Sequence, residues 1–485
     1  MMEDAFYHEQ ELIEFIGNPL IEALPPMVDP DVYPKLLMVL PDYSEEDRNK
    51  QTVFRVAQLQ RLSKIHVPTK QDSMLFLEIN RCLRWSYVGR NPVPFNEVKK
   101  FIEKKGEKLS AAQEKYLQTP AGPIYGFPVL GISGVGKTTS VENVLSLFPQ
   151  VICHTNYRGI EFKKEQLVWV KVDCPPDGTP RGLCSAILRG VDKAMNGNFT
   201  EQILRNRMSK DVLLIKVSQL IQSLFLGVLV IDDIQNLCGA KENVSNELLN
   251  FMVSLANSLS IPVIMVGSPK ILKLLQREFQ QAKRASGEGE IRMNLMARES
   301  FEWERFITTI WRYQYTAKQV KLDQKMKNVF FDESVGNPFI AATLYKAVQD
   351  EAIINKSEMF SVSDVKRIAK EKMGITSKMR KDMLAGVDLE LNAYNHLWEL
   401  PHDIENSNMS NDKSGVSTFP AEDYNLIVQE LSQKLISKGI PMNESRAYAR
   451  QAVAAYPAEK NMDILFGYAM ALAKAASDDS KADQS

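Results

Sequence analysis

Leu130-Gly131-Ile132-Ser133-Gly134-Val135-Gly136-Lys137-Thr138-Thr139 is the stretch that decides the fold of this chain. It fits the pattern G-x-x-x-x-G-K-[ST], a loop whose backbone cradles phosphates. Gly131, Gly134 and Gly136 let the main chain approach an anion where a side chain would stand in the way. Lys137 reaches toward β- and γ-phosphates, and the Thr138 hydroxyl is a ligand for Mg²⁺. Ser133, Val135 and Thr139 complete the candidate nucleotide-binding set. The chemistry needs a strand before the loop and a helix after it. Phe127–Gly131 is a short apolar run. Beyond the loop Val141, Val144, Leu145 and Phe148 recur at helical spacing until Pro149. Phosphates would sit on a helix N-terminus.

Working outward, an alternating strand and helix pattern begins at Ile124 and predicts an α/β core, a parallel sheet between helices. The predicted strands are Phe127–Gly131, Leu167–Asp173, Val228–Asp233 and Pro262–Gly267. Their continuous apolar character suits strands covered on both faces. The third ends Leu229-Val230-Ile231-Asp232-Asp233, a Walker B strand. Asp232 is placed to bind Mg²⁺ beside the phosphate loop. Asp233 stands where ATPases of this type usually carry Glu to orient the attacking water. Its arm is one methylene shorter, so slow hydrolysis and a long-lived ATP state are expected. The fourth strand ends in Gly267-Ser268-Pro269-Lys270. Ser268 is a candidate γ-phosphate sensor, or an N-cap for a helix Lys270–Ala282. Ala282-Lys283-Arg284 precedes a glycine-containing loop. Arg284, with Lys283 or Arg277 as alternatives, is a candidate arginine acting on a neighbouring subunit's site. A solvated helix end is the other reading.

The remaining chain divides by composition. Residues 1–122 form an N-terminal extension, proline-rich from Phe15 to Tyr33. Helices are expected over Ser44–Ile65, 72–85 and Asn96–Leu117. The stretch Asn18–Pro26 either packs on the core or docks a partner. Residues 123–317 are the nucleotide-binding core, and 318–385 a helical lid with a basic segment, Ser363–Lys381. Its turn Gly336-Asn337-Pro338-Phe339 lacks an arginine, so the lid is not expected to reach the γ-phosphate. Residues 386–418 form a linker, polar and Ser/Asn-rich from 405. Residues 419–485 form a helical appendage and tail, in which Tyr424, Ile427, Val428, Leu431 and Leu435 share one face.

The chain has 485 residues and a net charge of −1, so a nucleic-acid contact must come from a local patch. Five cysteines without a C-x-x-C pair argue against a disulfide framework or zinc and fit a reducing cytoplasm. The longest apolar run, Ser223–Ile231, is far below the ~18 residues of a membrane span.

The residues resemble TnsC, the AAA+ ATPase that selects targets for heteromeric transposons, and the shorter TniB proteins. The likeness runs over roughly residues 15–345. Its most specific parts are Asn18-Pro-Leu-Ile-Glu-Ala-Leu-Pro-Pro26 and Tyr87-Val-Gly-Arg-Asn-Pro92, in that order before the core. Further parts are Gly131–Thr139, Phe148–Ile152, Leu229–Gln235, Leu249–Phe251, Gly267–Lys270 and Ala282–Arg284. The resemblance implies ATP and Mg²⁺ as cofactors and a homo-oligomeric ring or filament around double-stranded DNA. It implies a bridge between a target selector of TnsD or TniQ type and a transposase of TnsA and TnsB type. It places DNA-backbone contacts in the loop after the second core strand, at Thr179 and Arg181. Two other classes share the loop: an AAA+ loader or signalling ATPase acting on proteins without DNA, and a small-molecule kinase. The kinase fits worst, because the acidic pair lies on a separate strand followed by a sensor strand.

Overall fold

Five parallel strands form the central sheet of the computed structural model. They are β2 (Pro128–Leu130), β5 (Trp169–Asp173), β6 (Val228–Asp232), β7 (Val263–Gly267) and β8 (Ile291–Arg292), in the order β5-β6-β7-β2-β8. Asp173 pairs with Asp232 across β5 and β6, and Leu130 with Gly267 across β2 and β7. The phosphate loop and the acidic pair thus leave the same edge of the sheet. The described residues are 2–374, without 107, 120, 121, 123–125, 206, 207, 240, 241 and 272–288, together with 431, 433–435, 437 and 438.

Helices cover both faces of the sheet. Pro180–Met195, Lys210–Ser223 and Glu242–Leu259 bury Leu183, Ile187, Val217, Leu248 and Leu255 against Val170, Leu229, Ile231 and Met265. On the other face Lys137–Leu145 and Lys70–Val88 pack Val141, Val144, Phe76, Ile79 and Leu83 on Val129, Val228 and Val266. Each such side chain removed from water is worth about 2 kcal/mol.

A second sheet departs from the sequence expectation. β1 (Met2–Asp4) runs parallel to β3 (Val151–Tyr157), which forms a hairpin with β4 (Ile160–Leu167). The predicted strand Leu167–Asp173 therefore begins two residues late, because Leu167 closes the hairpin. The helix expected over Ser44–Ile65 is broken into Glu45–Asn49, Thr52–Gln58 and Leu59–Lys64, of which only the middle one is α-helical. The Ser44–Asp47 capping box starts the first turn, and the Lys50 backbone leaves it in extended conformation. Asn96–Leu117 is two helices, Phe95–Lys104 and Ala111–Gln118, separated at Gly106 with φ +90°.

The N-terminal segment packs on two bodies. Leu20, Ile21 and Leu24 are fully buried with the helix Lys70–Val88 and the sheet. The two most distinctive stretches interlock there. Asn18 Nδ2 donates to Tyr87 O at 2.9 Å, and Asn91 Nδ2 donates to Gly17 O at 3.1 Å. Residues 38–67 instead fasten to the helices Phe301–Trp311, Gln324–Ser334, Pro338–Ile354 and Val362–Lys372. Leu59, Leu62 and Val67 join Phe306, Ile307, Leu344 and Tyr345 in one core. Arg55 makes two bonds to Glu358 at 2.6 and 2.7 Å and a third to Tyr315 O at 3.0 Å. Tyr43 reaches Gln314 O at 2.7 Å, and Tyr313 reaches Pro41 O at 2.8 Å.

The chain divides into two units, Met1–Glu399 and Leu400–Ser485. In the second, Leu431 and Leu435 are buried. The rest of the expected appendage face, the linker 386–418 and the basic residues Lys378, Arg380 and Lys381 lie outside the described residues. In Val362–Lys372 the basic side chains are exposed. Arg367 pairs with Glu351 and Glu371, and Lys372 lies 3.5 Å from Glu351. Among the described residues no helix is long and apolar enough to cross a membrane.

Candidate functional site

The phosphate loop lies between β2 and the helix Lys137–Leu145, and its glycines have three different reasons to be there. Gly136 has φ +99° and Gly134 φ +83°, backbone that L side chains rarely adopt. At Gly134 a Cβ would also stand 2.8 Å from Asn337 Oδ1. Gly131 is needed for packing instead: a Cβ there would lie 2.4 Å from Met293 O, on the chain just after β8.

Lys137 Nζ folds back on the loop and donates to Ile132 O at 3.0 Å. Burial lowers its ammonium to about 8, against Asp232 and Asp233, which favour the charged form. A bound polyphosphate would give this cation stronger acceptors than one carbonyl. Thr138 Oγ1 donates to Asp232 Oδ2 at 2.8 Å, so the two proposed Mg²⁺ ligands already face each other. A hydroxyl and a carboxylate are hard oxygen donors, and Mg²⁺ takes its other ligands from water and substrate phosphate. Among the described residues no cluster of three His, Cys, Asp or Glu side chains could hold a metal ion.

Asp232 is buried, with its Oδ1 accepting from Asp233 N at 2.9 Å. Asp233 is exposed and held at φ +53°. Asp tolerates this left-handed backbone better than a longer side chain does, which gives a local reason for Asp at this position. Its Oδ1 accepts from Gln235 Nε2 at 2.8 Å, and Gln235 Oε1 in turn accepts from Ser268 N at 3.2 Å. Gln235 therefore links the acidic pair to Ser268 at the end of β7. Ser268 is buried and lines the same pocket, and a short turn Pro269–Ile271 follows it. Arg284, Lys283 and Arg277 lie outside the described residues.

These groups open into a pocket of about 580 Å³, and its other walls come from parts of the chain that carry no motif. One wall is N-terminal: Gln60, Ser63, Ile65, His66, Thr69 and Asp72. His66 Nε2 lies 3.0 Å from Asp72 Oδ1. Burial raises the Asp72 carboxyl, but His66, Ser140 and Thr69 outweigh it and hold the group below the usual range. A further wall is the helix Pro338–Ile354, through Phe339, Thr343 and Lys346. Asn337 caps that helix and also donates from Nδ2 to Ser133 O at 3.0 Å. The turn without an arginine thus touches the phosphate loop through an asparagine, and Lys346 brings a cation two turns further on. Asn337, Lys346 and the wall Gln60–Asp72 escaped sequence reasoning; Asn-Pro at a helix start was the signal available for the first.

The loop Pro175–Arg181 follows β5. Thr179 Oγ1 accepts from Gly182 N at 3.0 Å and donates to Asp177 Oδ2 at 2.9 Å, so it caps the helix Pro180–Met195. Arg181 is exposed and reaches Met208 O at 3.4 Å. The sequence-derived residues of the phosphate loop, Asp232, Asp233 and Ser268 come together; Thr179 and Arg181 occupy a separate loop.

Residues 127–275 match the model of an AAA domain. The core is an AAA+ P-loop ATPase fold. A search of curated proteins finds no match. Among solved structures the chain is similar to a Walker-type ATPase of Pyrococcus abyssi, with 12% identity, TM-score 0.35, and 71% of this chain and 90% of that one covered. It is also similar to ORC2 of Aeropyrum pernix in ADPNP–ADP complexes, with 10% identity, TM-score 0.37, and coverage of 75% and 91%. Drosophila ORC bound to DNA gives 11% identity, TM-score 0.34, and 78% coverage of each chain.

Proposed function

We propose that the chain is an ATP-dependent, DNA-binding regulator of transposition of the TnsC kind, in which bound ATP holds an assembly on target DNA. The ATP part rests on the Thr138–Asp232 contact under a lid that touches Ser133. With Lys137 and the backbone of Gly131–Thr139 this constellation can bind a nucleoside triphosphate with Mg²⁺. Asp233 polarises the attacking water, and Ser268 with Gln235 senses the γ-phosphate. Arg284 of one subunit completes the neighbour's site. Support for the finer reading is the interlocking of Asn18–Pro26 with Tyr87–Pro92, since the two stretches most typical of that family here depend on each other. Thr179 and Arg181 supply backbone contacts to duplex DNA, and the partners are a TnsD- or TniQ-type selector and TnsA and TnsB.

Fluorescence anisotropy of a labelled duplex is the test. Binding is expected with a non-hydrolysable ATP analogue and not without nucleotide, and it weakens as salt rises. Arg181→Ala is expected to reduce the slope of log affinity against log salt by about 1 per contacting subunit. No binding of duplex with the analogue present refutes the DNA reading and leaves a protein-directed AAA+ ATPase.

A further inference from the structure

Lys171 lies in the middle of β5, on a strand otherwise legible as an apolar run, yet its ammonium is directed at the Walker B carboxylate. Its Nζ is 3.1 Å from Asp232 Oδ2 and 2.9 Å from Glu142 Oε1, and its side chain is only 16% exposed. Asp232 Oδ2 is also the atom that accepts from Thr138, while Oδ1 is taken by the backbone of Asp233. Asp232 itself is 3% exposed. A carboxylate so buried needs a cationic or strongly donating partner to remain charged, and Lys171 is the one in direct contact, with Lys137 also acting on Asp232.

The same arrangement conflicts with a divalent cation. Mg²⁺ held by Thr138 and Asp232, directly or through water, would compete with a lysine ammonium for the same buried carboxylate, and like charges that close repel strongly. Glu142, on the first helix after the phosphate loop, is 56% exposed and offers Lys171 a second anion that can follow it.

We propose that Lys171 is a positioning residue that competes with the metal: it bridges Asp232 and Glu142 while no Mg²⁺ is bound, and gives up Asp232 and keeps Glu142 when Mg²⁺ arrives with nucleotide. The Mg²⁺ requirement of nucleotide binding is then set by the balance between Asp232 and Glu142 for one ammonium. This rests on the ATP reading given above. The competing account is a strut that ties β5 to the helix Lys137–Leu145 and has no bearing on the metal.

The test is a Mg²⁺ titration of fluorescent ATP-analogue binding by the full chain, with no hydrolysis measured. Lys171→Met removes the competing cation and is expected to lower the half-saturating Mg²⁺ about fivefold. Glu142→Gln, an exposed change, removes the alternative anion and is expected to raise it about threefold. The double variant should behave like Lys171→Met alone, and Lys171→Arg should stay near wild type. Midpoints that do not move, or a Glu142→Gln shift that persists without Lys171, overturn the proposal. If Lys171→Met does not fold, the Glu142→Gln shift and its absence still decide. Failure of the wild type to bind the analogue at any Mg²⁺ concentration would instead sink the ATP reading itself.

Discussion

Replacing Asn337 separates two jobs performed by one side chain. It is fully buried. Its Oδ1 accepts from Phe339 N at 3.1 Å and Ile340 N at 3.2 Å, which caps the helix Pro338–Ile354. Its Nδ2 donates to Ser133 O at 3.0 Å, which ties that helix to the phosphate loop. Losing the cap costs about 1 kcal/mol. Losing the bond to the loop costs about 1 kcal/mol more. Asn337→Ala should therefore destabilise the protein by about 2 kcal/mol. Asn337→Ser keeps a capping oxygen but cannot span to Ser133, so it should cost about half as much. Nucleotide affinity should not follow that order. Both variants release the Ser133 carbonyl and leave the lid joined to the loop through the longer Phe339 N to Gly134 O bond at 3.4 Å, so both should bind a fluorescent ATP analogue about fivefold more weakly, the equivalent of about 1 kcal/mol. The assay pairs chemical denaturation with analogue binding for the three proteins. If Ser restores affinity along with stability, or if Ala binds like wild type, the asparagine only caps a helix and the lid-to-loop link is irrelevant to the nucleotide.

Two further outcomes can be checked. Asp233→Glu should raise steady-state ATP turnover several-fold, because the longer arm brings the carboxylate closer to the attacking water and outweighs the left-handed backbone there; no gain in a variant that melts like wild type would mean that arm length does not limit the rate. Asp47 receives contacts from Lys50 and Arg61 at 2.5 and 3.0 Å. Burial raises its carboxyl, but the bonds from Lys50, Gln58 and Ser44 prevail and hold it at about 2 instead of 3.8. A depressed carboxyl stabilises the fold fully above its unfolded value and loses that contribution as pH falls through the folded one. Acid unfolding followed by circular dichroism should thus steepen between pH 3.8 and about 2, and Asp47→Asn should flatten that limb. An unchanged limb would mean that Asp47 titrates alike in both states.

The chemical half of the site was legible because it is written locally. Glycines at fixed spacing, a lysine and a threonine are contiguous, and two aspartates at the end of an apolar run mark the edge where that loop lies. The enclosing half was not. Gln60 and His66 meet the pocket because Leu59, Leu62 and Val67 pack on the lid helices, and Asp72 because the helix Lys70–Val88 packs on the helix of the phosphate loop, long-range contacts without a local pattern. Lys171 was hidden by its strand, since one charge among Trp169, Val170 and Val172 reads as an exception in a buried run. The hairpin Val151–Leu167 escaped for a related reason. Glu161, Lys163, Lys164 and Glu165 make β4 look like a loop, and β1, the strand on the other side of β3, is the charged tripeptide Met2–Asp4. In the lid the turn Gly336–Phe339 lacks an arginine, and the expectation drew from that no contact to the γ-phosphate; the turn meets the phosphate loop through Asn337 instead.

The stretch 38–67 leaves the sheet's neighbourhood after Leu37 and rejoins it at Thr69, and between those points it is fastened to the lid by Arg55, Tyr43 and the Leu59–Leu62 core. Mechanically it belongs to the lid although it is encoded far upstream. A force applied to this N-terminal span would be transmitted to the roof of the pocket, and a nucleotide that draws the roof down would draw the span with it. Anything that grips the span from outside therefore holds a lever on nucleotide retention without touching a single phosphate-binding residue.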